Sequence, residues 1–348
     1  MITVKKPFAI VILNYNGKAY LEKFLPIVIE NSENLAEIIV ADNFSTDESV
    51  SFLKNNFPNM SLIQIDKNYG YAGGYNKALS QINAKYFVLL NSDLEVTKDW
   101  LLTIYDYLED NENVAGAQPK ILSYHQKDTF EHAGASGGWL DILGYPFCRG
   151  RIFDTVEIDH GQYNSIQSIA WASGAAMIVR SSVFNNFGGL DGDFFAHMEE
   201  IDFCWRTKNA GFDWVVIPSS TVFHVGGGTL DYENPRKTFL NFRNSLWCLQ
   251  KNDTSKFLIF KILSRLVLDG IAGLQFLLKG KSKLTIAIIK AHWSYFSTIF
   301  KTQQKRKSNN KNNQQYKIGL KNKNGFLNKS IVLQYFAKGK KTFNSLFD

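Results

Sequence analysis

Four short apolar runs in the first hundred residues, each ending in polar side chains, constrain this chain more than any other feature. FAIVILNYNG (8–17), EIIVADNFSTDES (37–49), SLIQID (61–66) and KYFVLLNSDLEV (85–96) read as buried strands that stop at Asn, Asp or Ser. Between them lie helical stretches at 18–31, SVSFLKNNF (49–57) and AGGYNKALSQIN (72–83). This βαβαβαβ rhythm predicts a mainly parallel sheet with helices on both faces. Ligands of such sheets bind outside the carboxyl ends of the strands. The polar sets Asn14–Asn16, Asp42–Asp47, Asn68–Asn76 and Asn91–Asp93 all fall at that edge. One shared site accounts for them better than four unrelated turns.

Residues 115–190 are more mixed: a glycine-rich, aromatic stretch, HAGASGGWLDILGYPFCRG (132–150), then IAWASGAAMIVRSSVF (169–184), a buried strand running into a helix. VVIPSSTVFHVGGG (215–228) reads as a short strand and a glycine loop. Charge divides the chain. Residues 1–250 hold 19 Lys+Arg against 29 Asp+Glu, and residues 251–348 hold 20 against 3. The expected organisation is therefore an acidic body at 1–250 and a basic, amphipathic helical extension at 251–348. In that extension Lys261, Arg265 and Asp269 are spaced by four and line one helical stripe. KTQQKRKSNNKNNQQYK (301–317) is almost without apolar residues and reads as a solvated linker. Three widely spaced cysteines without a CxxC pair argue against a disulfide framework or zinc site and for a reducing compartment. FAIVIL is too short for a secretory core, so none is expected.

Several motifs carry candidate chemistry. Asp42 after the second strand is placed to accept the N3–H of uracil or thymine, or to cap the following turn. Gly70, Gly73 and Gly74 in NYGYAGGYNKA (68–78) open a helix whose amides suit a phosphate, though the spacing is neither GxGxxG nor GxxxxGK[ST]. Asp93, with Asn91 two positions earlier, offers hard oxygen ligands to Mg²⁺ or Mn²⁺ at a strand end. In FFAHMEEIDFCWR (194–206), Glu199, Glu200 and Asp202 sit among large apolar residues. Such neighbours can shield a carboxylate and raise its pKa toward that of a general base. Asp202 is expected to pair with Arg206 one helical turn on. The residue pattern leaves Glu199 and Glu200 open as the base. Trp139, Trp171 and Trp205 are candidates to stack on a sugar, with packing the commoner use of an indole.

In order along the chain, VILNYNG (11–17), VADNFSTD (40–47), NYGYAGGYN (68–76), LLNSDLE (89–95), HAGASGG (132–138), ASGAAMIVR (172–180), FGGLDGDFFAHMEEIDFCWR (187–206), GFDWVVIPSSTVFHVGGG (211–228) and FRNSL (242–246) resemble the family 2 glycosyltransferases. Within that family the likeness is to the rhamnosyltransferase-like group, and it covers about residues 8–250. It implies a GT-A fold, α/β, with a nucleotide-binding sheet continuous with an acceptor-binding half. It also implies an inverting transfer of a sugar from a nucleoside diphosphate to a hydroxyl, with rhamnose from dTDP-rhamnose as the favoured donor. By this resemblance Asp42 contacts the base, Asn14 and Tyr15 open the nucleotide pocket, and Asn68, Gly70 and Asn76 lie near the ribose and diphosphate. Asp93 and His224 look like the metal ligands, and Glu200 occupies the place of the usual base, with Glu199 its rival. Two departures stand out. Glu200 replaces a more usual Asp, and Asn91 replaces the first Asp of a DxD motif.

The implied cofactor is a divalent metal, Mg²⁺ or Mn²⁺. The implied partners are a dTDP- or UDP-linked donor and a glycan or lipid-linked acceptor of cell-surface polysaccharide synthesis. The basic tail carries no recognisable nucleic-acid module. It suits either an anionic membrane surface or the acidic body itself, so the expected location is the cytoplasm, with the inner face of the cell membrane as the site of attachment. The competing reading is a catalytically inactive nucleotide-sugar-binding protein, which would need neither Glu200 nor His224.

Overall fold

The computed structural model describes residues 1–131, 134–226 and 234–348 of the chain. His132 and Ala133 of the HAGASGG motif, and Gly227 and Gly228 after His224, lie outside the described residues.

The centre is a nine-stranded sheet. The Phe8–Asn14 strand runs between Ala36–Asp42 and Tyr86–Leu90, Ser61–Gln64 forms the edge, and all four are parallel. Their β-branched and aromatic residues are buried on both faces, as a covered parallel sheet requires. The crossovers are α1 (Lys18–Ser32), α2 (Ser49–Asn56) and α3 (Gly70–Leu79). Beyond Tyr86–Leu90 the sheet becomes mixed. Ala176–Arg180 inserts antiparallel to both Tyr86–Leu90 and Val114–Ser123. Asp213–His224 then runs parallel to Val114–Ser123, and Leu94–Val96 pairs antiparallel with its His224 end. The expected parallel arrangement thus holds for the first half of the sheet, and a later strand breaks it in the second.

Two other elements differ from the sequence reading. The run 85–96 is two strands, Tyr86–Leu90 and Leu94–Val96, interrupted at Asn91–Asp93. The 213–224 strand is long, with an irregularity between Ile217 and Thr221 where Pro218 removes a donor.

Helices α4 (Leu102–Asp110) and α5 (Ser181–Asn186) cover the sheet, and α6 (Glu199–Asn209) carries the acidic cluster. Helix α7 (Pro235–Asn252) starts at an Asn234 cap with Pro at its first position and runs through the expected boundary at 250/251. Helices α8 (Leu258–Leu278), α9 (Ser282–Ser297) and α10 (Ile299–Gln315) follow. The stretch at 301–317, expected to be a linker, lies largely within α10. Polar contacts dock it where an apolar stripe is missing: Lys305 reaches Asp191 and Asp193, Arg306 donates to the Gln250 carbonyl, and Thr302 and Asn313 are buried.

The end of the chain also returns to the body. Phe326–Leu327 adds a parallel strand beside Gly138–Asp141 in a second, five-stranded sheet. Trp139 packs on Phe343 and Phe347, Trp205 packs on Phe326, and the Trp171 indole donates to the Trp139 carbonyl. These tryptophans, candidates for sugar stacking, are therefore engaged in packing the tail and its sheet.

Gly325 makes that seam. Its φ is +82°, and a Cβ there would lie 2.1 Å from the Ala170 amide nitrogen. Gly325→Ala should lower global stability by about 2–4 kcal/mol in urea unfolding. A tail attached only loosely would leave the unfolding midpoint of the body unchanged.

Candidate active site

The parallel strands deliver the first part of the site. Asn14 and Asp42 are register partners at the ends of their strands. The Asn14 amide donates to Asp42 Oδ1 at 3.0 Å and to Ser45 Oγ at 3.1 Å, while the Ser45 amide donates to Asp42 Oδ2 at 2.9 Å. Asp42 thus shapes its own turn while facing the strand mouth. Asn14 Oδ1 is buried without a partner. Tyr15 is exposed beside it. Asp47 accepts from the amides of Lys18 and Ser49 and serves the turn.

Asn43, a residue the sequence did not single out, organises the next loop. Its amide donates to Asn68 Oδ1 and to the Gly70 carbonyl, both at 3.1 Å, and its Oδ1 accepts from the Tyr69 amide. Asn68 Oδ1 also accepts from the Gly70 amide at 2.8 Å. Gly70 has φ +70°, and a Cβ there would lie 2.4 Å from the Phe195 carbonyl oxygen, so no other residue fits. Asn76 does not join this group. Both ends of its amide bond the Leu190 backbone, at 2.6 and 3.0 Å, tying α3 to the turn ahead of α6.

The break at Asn91–Asp93 supplies the second part. A Cβ on Gly17 would sit 2.5 Å from Asn14 Oδ1 and 3.4 Å from Ser92 Oγ, so this break adjoins the Asn14 end of the first parallel strand. Asp93 Oδ1 lies 3.1 Å from His224 Nε2, and His224 Nδ1 lies 3.2 Å from Glu131 Oε2. All three side chains are buried. Burial works against a charged imidazole here, but the two carboxylates outweigh it and hold the His224 pKa up to about 10. The three groups form a row with the ring in the middle. Among the described residues, no three or more His, Cys, Asp or Glu side chains converge as a metal cluster. Once the Nε2 proton is displaced, the Asp93–His224 pair suits a small divalent cation. Two ligands in neighbouring octahedral positions, each about 2.1 Å from such an ion, lie about 3 Å apart, close to the observed 3.1 Å. Glu131 then holds the far nitrogen of the ring, the usual arrangement behind a ligating histidine.

The third part is the start of α6. Phe195, His197 and Met198 have φ values of 65°, 69° and 76° in the turn before it. Asn244 of α7 gathers that turn, donating to the carbonyls of Phe194, Ala196 and His197 at 3.1, 2.9 and 2.8 Å. The Tyr71 amide donates to the Phe195 carbonyl at 2.8 Å from the other side. Asp202 is fully buried among Arg206, Lys251 and Asn252, at 2.9, 2.9 and 2.7 Å, and anchors the helix.

Glu199 is buried and Glu200 half-buried, and each has one carboxylate oxygen without a partner. Burial, followed by the charge of Glu200, pushes the Glu199 pKa well above its ordinary value. Burial pushes Glu200 up to about 7, partly offset by backbone amides of the first turn. Both carboxylates bear on the Tyr71 phenol, whose hydroxyl donates to the Gly174 carbonyl at 2.5 Å. Next along the chain, the Ala175 carbonyl accepts from the Asn91 amide. Cys148 feels the charges of both Glu131 and Glu200. The Cys148 thiol thus lies in electrostatic range of both the acidic helix and the Glu131 end of the row.

Residues 9–166 match the family model described as Glycosyl transferase family 2. A low-salt glycan biosynthesis hexosyltransferase from Haloferax volcanii is 25% identical over 250 residues, 70% of this chain and 75% of that protein. An N-acetylglucosaminyl-diphospho-decaprenol L-rhamnosyltransferase from Mycobacterium tuberculosis is 26% identical over 234 residues, 62% of this chain and 75% of that one. Among solved structures, a mannosyltransferase from Pyrobaculum calidifontis in complex with GDP-Man and Mn²⁺ superposes with a TM-score of 0.52 at 13% identity, covering 83% of this chain and 87% of that chain. The shared fold is of GT-A type, as the sequence led us to expect.

The raised Glu200 pKa has a consequence for stability. The folded state holds the proton up to about pH 7 and the unfolded state only to about 4.5. Stability therefore falls as pH rises through that window, because the unfolded chain can ionise while the folded one resists. Glu200→Gln should be more stable than the parent at pH 8 by about 1–3 kcal/mol and equal to it at pH 4. Urea unfolding at the two pH values checks this, and equal stability at pH 8 would contradict the buried carboxylate.

Proposed function

From the match of residues 9–166 to glycosyl transferase family 2, we propose that the chain is an inverting transferase of that family, moving a hexose-class sugar, rhamnose foremost, from a dTDP- or UDP-linked donor to a hydroxyl of a glycan or lipid-linked glycan. The relatives named above, a hexosyltransferase of glycan biosynthesis and a rhamnosyltransferase of a decaprenol-linked sugar, support this reading. The observation that carries it is the half-buried Glu200, its pKa near neutrality and one oxygen unpartnered, with the Cys148 thiol in electrostatic range both of it and of Glu131.

In the proposed reaction Asp42 accepts the N3–H of the pyrimidine, Tyr15 covers the ring, and Asn14 Oδ1 finds its missing partner on the nucleotide. The loop at Asn68 and Gly70, held by Asn43, lies along the ribose and diphosphate. Asp93 and His224 would hold a divalent metal, Mg²⁺ or Mn²⁺, whose chemistry is to neutralise charge growing on the departing diphosphate. Glu131 keeps the His224 ring oriented. Glu200 takes the proton from the acceptor hydroxyl as that oxygen attacks the anomeric carbon from the face opposite the diphosphate. Attack from that face inverts the configuration. Burial and the charge of Glu200 push the Glu199 carboxyl well above its ordinary range, and like charge disfavours ionising both acids at once. Glu200, the less buried of the two, is the base in this reading. A protein that only bound the sugar nucleotide would have no use for a buried acid pair with an unpartnered oxygen on each member.

Glu200→Gln should lower turnover about 10²–10⁴-fold with donor binding retained, and Glu199→Gln, which keeps the size of the side chain, less than about tenfold. The parent enzyme should gain activity as pH rises through about 7, where Glu200 ionises. Steady-state kinetics across pH with dTDP-rhamnose and UDP-sugars checks both. A Glu200→Gln enzyme with near-full turnover would overturn the assignment.

A further inference from the structure

Helix α8 is inside-out. Its charged residues Arg265 and Asp269 are buried, with Arg265 donating to Ser245 Oγ at 2.6 Å and Asp269 bonded to the Tyr145 hydroxyl and His292, both at 3.1 Å. Lys261 turns back to Asp253. The side left to the outside is apolar: Ile259, Phe260, Leu263, Val267, Ile271 and Leu274 follow one another at helical spacing, and Phe260 is 70% exposed. Helix α9 continues the surface with Ile289, Trp293 and Phe296, Trp293 being 78% exposed. Contiguous apolar surface on this scale marks an interaction site. Nothing among the described residues covers it.

Charge identifies the occupant. Lys256, Lys279, Lys283 and Lys290 border the apolar strip and are exposed. The three acids of residues 251–348 are Asp253, engaged by Lys261, the buried Asp269 and the terminal Asp348. No exposed carboxylate thus stands on either helix. A protein partner would ordinarily be met by charges of both signs. An apolar strip collared by lysines alone matches a leaflet with anionic headgroups. No described helix is long and apolar enough to cross a membrane, so the contact is with one leaflet.

We propose that the outer face of the α8–α9 pair docks in the plane of an anionic lipid surface, with Phe260, Leu263, Val267 and Trp293 entering the acyl boundary and the flanking lysines contacting lipid phosphates. The buried charges of α8 hold that face outward against the ordinary tendency of an apolar stripe to turn inward.

The test needs neither donor nor acceptor, so its result is independent of the transferase reading. The full chain is sedimented with vesicles of phosphatidylglycerol and phosphatidylcholine, and with phosphatidylcholine alone. It should bind the anionic vesicles, weaken with salt, and lose affinity about tenfold or more in the double variant Leu263→Glu, Ile271→Glu. Tryptophan emission should shift to the blue on vesicle addition, and Trp293→Phe should remove that shift; this reading does not depend on the α8 variant folding. Absence of binding to anionic vesicles would overturn the proposal. So would binding without a Trp293 signal, or a stable dimer by light scattering that the double variant dissociates while the parent ignores lipid.

Discussion

The turn before α6 asks three residues with side chains, Phe195, His197 and Met198, to adopt backbone angles that L-amino acids resist. Each such residue costs about 1–3 kcal/mol, and the arrangement persists only where the surroundings over-determine it. Here they do. A single amide, Asn244, satisfies three carbonyls of the turn, and the Tyr71 amide takes the Phe195 carbonyl from the nucleotide side. Asp202, buried against two cations and Asn252, fixes the first turns of the helix to α7. With the turn held, two carboxylates enter an apolar pocket with oxygens left unpaired. Without it, α6 could start elsewhere and its acids would find water.

The same turn explains why the two halves of the molecule work as one. Gly70 approaches Phe195 so closely that a side chain is excluded. Asn76 bonds the Leu190 backbone at both ends of its amide. The Asn68–Gly70 loop and α3 are thus joined to the turn ahead of α6, and with it to Glu200, by one close backbone approach and one side-chain amide. The base proposed at Glu200 would benefit from being held in place.

How much of this was legible in the sequence depended on the kind of interaction involved. The parallel strands and crossovers announced themselves through apolar runs of strand length, and their polar ends pointed to Asn14, Asp42, Asn68 and Asp93. Glu131 carried no such signal: its meaning comes only from His224, brought beside it when the 213–224 strand pairs with 114–123. Asn244 was visible in FRNSL, but its three bonds are to backbone, which no residue pattern encodes. The tie of Asn76 to Leu190 carried no signal either, since its sequence neighbours belong to the Asn68–Gly70 loop while its partner lies 114 residues on. The 301–317 segment failed for a plainer reason. Hydrophobic periodicity detects helices docked by apolar stripes, and α10 is docked by Lys305, Arg306 and Thr302.

Those polar contacts also redistribute the charge of the chain. The tail is basic by composition, yet Lys251 and Lys305 neutralise Asp191, Asp193 and Asp202 of the body. Of the two destinations the sequence offered for the tail's lysines, the structure uses one for the inner faces of α7 and α10 and leaves the rim of α8 and α9 uncommitted. Arg265 ties that rim to the rest, lying 3.6 Å over the Tyr145 ring and reaching the Leu143 carbonyl. Tyr145 and Leu143 belong to the turn that joins Gly138–Asp141 to Pro146–Cys148, and Cys148 senses both Glu131 and Glu200. Arg265 therefore ties α8 to the hairpin of the second sheet that carries Cys148.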